Sequence, residues 1–352
     1  MKVVIQATPE QLDLLRKTGD RNRSQAFPAM EAFAAVLAPV VQVVLDKMST
    51  VRGIYSVKNL GEFDVAEFPL DVYFNEQDGE IMIHLQNRPG GTPSSFLSDI
   101  QTVVVQTAPY MAEVSWQNKF ARSARMDVIA QYVHRLAQVM LRKEELNGWA
   151  VLLKAVATSA GHVVGSTTTD GVFHLDLLNQ LLTKAKRLNT SIDGGTAVAA
   201  PQGITDVYLS VEAMGDVRSF SYNPVNVRGA TGAAVGGDVV TLPEDTRRSI
   251  IAGGGIPSLL GLTLHEMNEL GCGQSYNKLM KSFYSGSFTE ATQECVIGLD
   301  NSRDSNVMPV VGGLVVQNDV FTQRGDRSGV IASQNMGFAV LDTRAIVAGI
   351  VK

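Results

Sequence analysis

The stretch FARSARMDVIAQYVHRLAQVMLRKEELNGWAVLLKAV, residues 120–156, limits the fold more than any other part of the chain. Met126, Ile129, Val133, Leu136 and Met140 recur at alternating three- and four-residue steps, which traces one face of an α-helix. The phase shifts at Asn147-Gly148 and resumes as Trp149, Leu153 and Val156. Even with a kink at Gly148, the pattern predicts a helix of roughly 50 Å at about 1.5 Å per residue. Every other segment has to be placed around it.

The segment before this helix reads as extended chain. From Tyr55 the apolar period changes, and PLDVYFNEQDGEIMIHL alternates on both sides of Asp78-Gly79, a hairpin signal. A cluster of breakers follows at 87–95, then strand-like residues at 101–117. Two or three strands without a second layer are marginal in water, so such an arm needs a surface to lie on. Pro89 and Pro93 limit ladder hydrogen bonds, and Gly90-Gly91 loosens the backbone. Either this cluster or Asp78-Gly79 is the tip. The residues expected to meet that surface are Arg88, Pro89, Gly90, Gly91, Pro93 and Phe96.

Elsewhere the signals are shorter. Thr8-Pro9-Glu10-Gln11 has the pattern of a capping box with proline in the first turn. The apolar run at 29–48 predicts a helix broken or kinked at Pro39. FHLDLLNQLLTKAKRLN, 173–189, is a second amphipathic helix. After residue 200 the texture is mixed: TDVYLS, SLLGLTLHE and QECVIGLD read as strands, VEAMGDVRSF and YNKLMKSFY as helices, and GATGAAVGGD as a loop. The last 45 or so residues are mostly strand-like.

Composition narrows the class. The 352 residues are 45% hydrophobic and 18% charged, with a formal net charge of −5. An acidic pI near 5.6 argues against a dedicated nucleic-acid reader. Cys272 and Cys295 form no CxxC pair, so free, buried thiols in a reducing compartment are expected. MKVVIQATPEQLDLL is not a signal peptide, and the apolar run at 32–45, with Pro39 and Gln42 inside it, is short for a membrane span. A soluble protein without a membrane partner follows.

Several short motifs tempt and fail. His265-Glu266 opens like a zinc-protease helix but lacks a second histidine at the fourth position, and the residues before it alternate like a strand. His265 is expected to be a hydrogen-bonded edge residue. DNSRDSN, 300–306, spaces its oxygens like the start of a calcium loop, yet Ser305 stands where glycine belongs and Val311 where glutamate belongs. A solvated turn is the expectation there. Arg324-Gly325-Asp326 reads as a plain turn. IAGGGIPS lacks the lysine of a phosphate loop and the spacing of a dinucleotide site. Nothing assembles an acid, a base and a nucleophile, so no catalytic residue, cofactor or metal is expected.

The order of parts resembles that of tailed-bacteriophage major capsid proteins, the Hong Kong 97-like fold. ARSARMDVIAQYVHRLAQVMLRKEELNGW looks like that family's spine helix, including the Arg/Lys-Glu-Glu close. TDVYLSVEAMGDVR resembles the strand and helix that open its axial domain. LLGLTLHEMNEL and ECVIGLDNSRDS look like later strands, and FTQRGDRSGVIASQNMGFAVLDTRAIVAGIV like the closing strands. The resemblance implies an α+β capsid fold. Its parts would be an N-terminal arm (1–54), an extended loop (55–118), a spine helix and peripheral domain (119–200), an axial domain (201–304) and closing strands (305–352).

It also implies a structural, non-enzymatic role in an icosahedral shell around double-stranded DNA, assembled in a host cytoplasm and found in the virion. The expected partner is the chain itself, in hexamers and pentamers, with room for scaffold, portal and cement proteins. Some members of the family join a loop lysine to a neighbour's asparagine. Here no lysine lies between Lys58 and Lys119, so the outer arm has no nucleophile for that bond. Two alternatives remain open: an encapsulin-like compartment of the same fold, and an α/β enzyme with a site in the glycine-rich loops at 229–255.

Overall fold

The structure is a computed structural model that describes residues 8–20, 23–69, 102–166, 171–190, 203–221, 227–228, 233–234, 243–253, 258–301, 304–319 and 327–351. In chain order the first elements are α1 (Pro9–Thr18), α2 (Arg23–Met48), α3 (Val51–Ile54), β1 (Ser56–Leu60), β2 (Glu67–Pro69) and β3 (Thr102–Val104). Then come β4 (Ala108–Gln117), α4 (Asn118–Arg122), α5 (Met126–Thr158), β5 (Val163–Gly165), α6 (Leu175–Thr190), β6 (Asp206–Ser210) and α7 (Val211–Ser219). Next are β7 (Val227–Arg228), β8 (Ala233–Ala234), α8 (Glu244–Gly253), β9 (Ser258–Leu259), β10 (Leu262–Met267) and α9 (Ser275–Phe283). The chain closes with β11 (Glu294–Leu299), β12 (Asn306–Asn318), β13 (Arg327–Met336), β14 (Ala339–Val340), a 3₁₀ turn and β15 (Ile346–Val351).

The chain divides into two compact units. One holds Met1–Glu67, Val104–Gly148 and Val307–Ala339; the other holds Phe68–Val103, Trp149–Asn306 and Val340–Lys352. In the first unit the sheet runs β1-β12-β13-β4. β1 lies parallel to β12, while β12–β13 and β13–β4 are antiparallel. The register of β12 slips between Val311 and Leu314, where Gly312 and Gly313 take φ of 71° and 70°. Only glycine adopts two successive left-handed positions at little cost, so these two residues make the bulge.

The core of this unit is helix on sheet. Met126, Ile129, Val133, Leu136 and Met140 of α5 are buried with Phe33, Leu37, Val41 and Leu45 of α2 and with Trp116, Val330 and Ala332 of the sheet. Trp116 meets Phe33 edge-on at 6.3 Å. α1 is capped as its sequence predicts: Gln11 N–H donates to Thr8 Oγ1 at 3.4 Å, and Thr8 N–H donates to Gln11 Oε1 at 3.1 Å.

Three local readings are corrected. α2 is not broken at Pro39 but runs continuously through Pro28 and Pro39. Pro39 and Ala35, whose carbonyl loses its usual partner, both lie on the exposed side, where water satisfies that carbonyl. α2 is also longer than its apolar run: Ser24–Met48 passes the length and composition test for a membrane span, although its inner stripe is core. The long helix starts at Met126 and not at Phe120. α4 ends first, with Ala124 left-handed at φ 51°, Ala124 N–H donating to Ala121 O and Arg125 N–H to Phe120 O. That is a Schellman ending on alanine.

The second unit is built on the sheet β5-β15-β11-β6-β10-β9. β6–β10 and β15–β5 are parallel; β11–β6, β11–β15 and β10–β9 are antiparallel. SLLGLTLHE is therefore a hairpin and not one strand, turning through Leu260 (φ 55°) and Gly261 (φ 81°). α6 and α7 cover one face, packing Leu177, Leu178, Leu181, Met214 and Val217 against Val207, Leu209, Val296 and Val347. Trp149 meets Tyr208 edge-on at 5.2 Å and stacks on Tyr276 at 5.4 Å. β11 and β15 are buried at every position, which is why their sequences run apolar without alternation.

Gly148 sits against the α3 turn. A Cβ there would lie 2.6 and 2.8 Å from the methyls of Val51. Gly148→Ala should therefore destabilise by about 1–3 kcal/mol through overpacking, despite a helix-propensity gain of about 1 kcal/mol. Urea denaturation should show the loss, and the added change Val51→Ala should recover most of it.

Candidate functional site

The arm residues expected to make the contact, Arg88, Pro89, Gly90, Gly91, Pro93 and Phe96, lie outside the described residues, as does Asp78-Gly79. The root of the arm is described. β2 pairs with β3, and Val105 N–H donates to Ala66 O at 2.8 Å. Ahead of this ribbon, Asp64 accepts from the Gly61 N–H at 2.8 Å and closes a tight turn. The turn and ribbon carry apolar side chains into solvent: Phe63 is 94% exposed, and Val65 and Val104 are also exposed. Met111 projects from the outer face of β4 in the same unit. Exposed large apolar side chains of this kind mark contact surfaces.

The root is anchored by buried charge. Arg52, its side chain 8% exposed, donates through Nε to Glu144 Oε1 at 2.7 Å and through Nη2 to Glu144 Oε2 at 3.0 Å. Its Nη1 reaches Asp46, and its Nη2 also reaches Gln334 Oε1 at 3.3 Å. Burial alone would lower the guanidinium's pKa, but Glu144 and Asp46 more than offset this and raise it. Glu145 accepts from the Thr50 N–H (2.7 Å), the Val51 N–H (3.1 Å) and Ser49 Oγ (2.8 Å), so it caps the start of α3. Tyr55 Oη donates to Gly148 O at 2.9 Å. The Glu-Glu close of the long helix is thus a two-carboxylate clamp on residues 49–52. Sequence reading singled out Glu144 and Glu145 but missed Arg52, whose partner lies 92 positions away.

Two further polar clusters lie in the second unit. Ser210 Oγ donates to Glu294 Oε2 at 2.5 Å, and Cys272 Sγ lies 3.7 Å from Glu294 Oε1. Burial raises the Glu294 pKa, Ser210 works against this, and Glu212 adds to it. Both cysteines are free. Burial and then Glu294 raise the half-buried Cys272 thiol, and burial pushes Cys295 up to about 12, so both stay protonated near neutral pH. Such thiols are poor nucleophiles. His265 bonds Asp206 Oδ1 at 2.7 Å and stacks on Tyr208 at 4.8 Å. It is the hydrogen-bonded strand residue that its context predicts. Among the described residues no group of three or more His, Cys, Asp or Glu side chains would hold a metal ion.

The turn at 300–306 is a correction. Its two ends are not solvated: Asp300, Ser305 and Asn306 are 1%, 4% and 2% exposed, while Asp304 is exposed. The residues just before β15 bond to these ends, with Asp300 N–H donating to Ala345 O and Leu341 N–H to Ser305 O. Arg324-Gly325-Asp326 and most of the 229–242 loop lie outside the described residues, although β7 and β8 form a small ribbon there.

No family model matches the chain, and no curated protein matches it. Solved structures do. The capsid of an empty GTA particle matches with a TM-score of 0.55 and 13% identity, over 86% of this chain and 89% of that one. The Microbacterium phage Oxtober96 structure matches with 0.51 and 12%, over 86% and 90%, and the capsid of cyanophage P-SCSP1u with 0.50 and 12%, over 86% and 88%. The chain has an α+β capsid fold. What is shared at such identities is the fold. The clamp ties residues 49–52 to α5 just before β1 begins.

Two outcomes test these clusters. Glu144→Ala removes one partner of a buried pair and should cost about 3–5 kcal/mol in chemical denaturation. A loss under 1 kcal/mol would show that the pair is dispensable. For Glu294, a folded-state pKa above the unfolded one means that its stabilising contribution is full at low pH and lost as pH rises through the folded value. Glu294→Gln keeps an acceptor for Ser210, so it should raise the melting temperature at pH 8 and change it little at about pH 4. An equal shift at both pH values would refute the burial argument.

Proposed function

We propose that the chain is the major capsid protein of a tailed phage, a subunit that assembles with copies of itself into an icosahedral shell around double-stranded DNA. The observation that carries this is the fold match with capsid structures over 86% of the chain. The exposed Phe63, Val65 and Val104 at the root of the arm support it, because a subunit that lives in a shell needs apolar surface for its neighbours. In this reading the arm is a clasp that lies on a neighbouring subunit, with Arg88, Pro89, Gly90, Gly91, Pro93 and Phe96 in the contact. Such a head-to-tail contact closes into rings, here hexamers and pentamers, and many modest contacts then add up. The chain's own role is structural and not catalytic. Scaffold, portal and cement proteins are further partners, assembly takes place in the host cytoplasm, and the product is the virion capsid. A net charge of −5 suits a wall along which packaged DNA slides without release of bound counterions.

Electron microscopy of the purified chain should show closed shells or their hexameric and pentameric parts. A protein that stays monomeric at high concentration in every salt tested would defeat the proposal. Deleting 88–94 should weaken assembly while leaving the circular dichroism of the subunit unchanged; loss of folding with assembly intact would reassign that segment to the core. The shell should also be free of covalent links, since Lys58 and Lys119 flank a lysine-free arm. Boiled, reduced particles should run as one band near the chain mass of 37.8 kDa, and a surviving ladder of multimers would overturn this.

A further inference from the structure

We propose that the two ends of the turn between β11 and β12 hold a hard divalent cation of calcium's size, through side-chain oxygens of Asp300, Asn301, Ser305 and Asn306. The backbone there is fixed from several sides. Asp300 N–H donates to Ala345 O at 2.9 Å, and Leu341 N–H donates to Ser305 O at 2.7 Å. Asn301 N–H donates to Thr205 Oγ1 at 2.9 Å, and its Nδ2 donates to Asp206 Oδ2 at 3.0 Å. This last bond orients the Asn301 amide and leaves Oδ1 as its other end.

Asn301 Oδ1, Ser305 Oγ and Asn306 Oδ1 are all buried atoms with no hydrogen-bond partner. Three such atoms within six positions are unusual, because nearly all buried polar groups in folded proteins are satisfied and an unmet acceptor is costly. Asp300, Ser305 and Asn306 are 1%, 4% and 2% exposed, so solvent does not stand in for the missing partners. Amide and hydroxyl oxygens beside the carboxylate of Asp300 are the ligand types of a hard cation, with no sulfur or imidazole among them. Magnesium demands a near-ideal octahedron and gives up water reluctantly, whereas calcium accepts irregular sets that include neutral oxygens. A set with a single carboxylate belongs at the weak end of calcium affinities, a Kd of about 10⁻⁴–10⁻³ M.

The experiment uses the full chain stripped with a chelator and melted in rising calcium, with magnesium as the control. Calcium at several times its Kd should raise the melting temperature by a few degrees, and the same concentration of magnesium should do much less. Asn306→Leu, which removes the oxygen at similar volume, and Asp300→Asn, which removes the charge, should each weaken the calcium response at least tenfold. If neither variant folds, equilibrium dialysis of the wild-type chain with radioactive calcium decides: one ion per chain supports the site, and none overturns it. A calcium response unchanged in folded variants places the ion elsewhere and overturns the assignment. So does a crystal structure grown in calcium with only water on these oxygens.

Discussion

The first unit depends on a buried ion pair. Arg52 and Glu144 meet with both oxygens of the carboxylate engaged, at a depth where neither charge is tolerable alone. Beside them Glu145 takes two backbone N–H groups at the start of α3. A buried pair adds little net stability relative to an apolar isostere, but breaking it is expensive, so its effect is to select one arrangement. In the arrangement present, Ser49, Thr50, Val51 and Arg52 all donate to Glu144 or Glu145. Gly148 makes the same choice sterically, because Val51 fills the space that a side chain would need. β1 follows this clamp directly in the chain, so its start is fixed here.

The second unit is held by a different device. Its central strands, β11 and β15, are buried on both faces, and α6 and α7 close one of them with leucine and valine. A Cβ added at Gly349 would lie 3.3 Å from methyls of Leu177 and Leu181, so helix and sheet are close there. Several polar groups inside this unit are paired, as with Ser210–Glu294, Thr205–Asp206 and His265–Asp206. Against that background the unsatisfied oxygens around 301–306 stand out.

A shell subunit has two stability problems, its own fold and its contacts. The buried faces of α5, α2 and α6 answer the first. The exposed apolar residues at the root of the arm are surplus to it, and in a shell they are covered by neighbours. The cysteines are held protonated, the His265–Asp206 pair is a strand contact, and the charged network around Arg52 is used up in holding the turn.

The sequence by itself determined the elements whose signal is local. The three- and four-residue steps from Met126 to Met140 gave the buried face of α5, Thr8 and Gln11 gave the cap of α1, and TDVYLS and QECVIGLD gave β6 and β11. The order of these elements was enough to anticipate the capsid fold. The expected contact residues, Arg88, Pro89, Gly90, Gly91, Pro93 and Phe96, lie outside the described residues, and their place on an arm is a reading of prolines and glycines in a run without lysine. Tertiary structure decided the rest. Arg52 finds Glu144 across 92 positions, and no periodicity encodes such a partner. Pro39 leaves α2 unbroken because it faces water, and Ala124 ends α4 where composition alone reads continuous helix. The segment 300–306 has the polar sequence of a solvated loop, yet its ends at Asp300, Ser305 and Asn306 are buried, bonded to Ala345 and Leu341 from far along the chain. Local pattern fixes how a segment coils; burial depends on what the remainder of the chain lays across it.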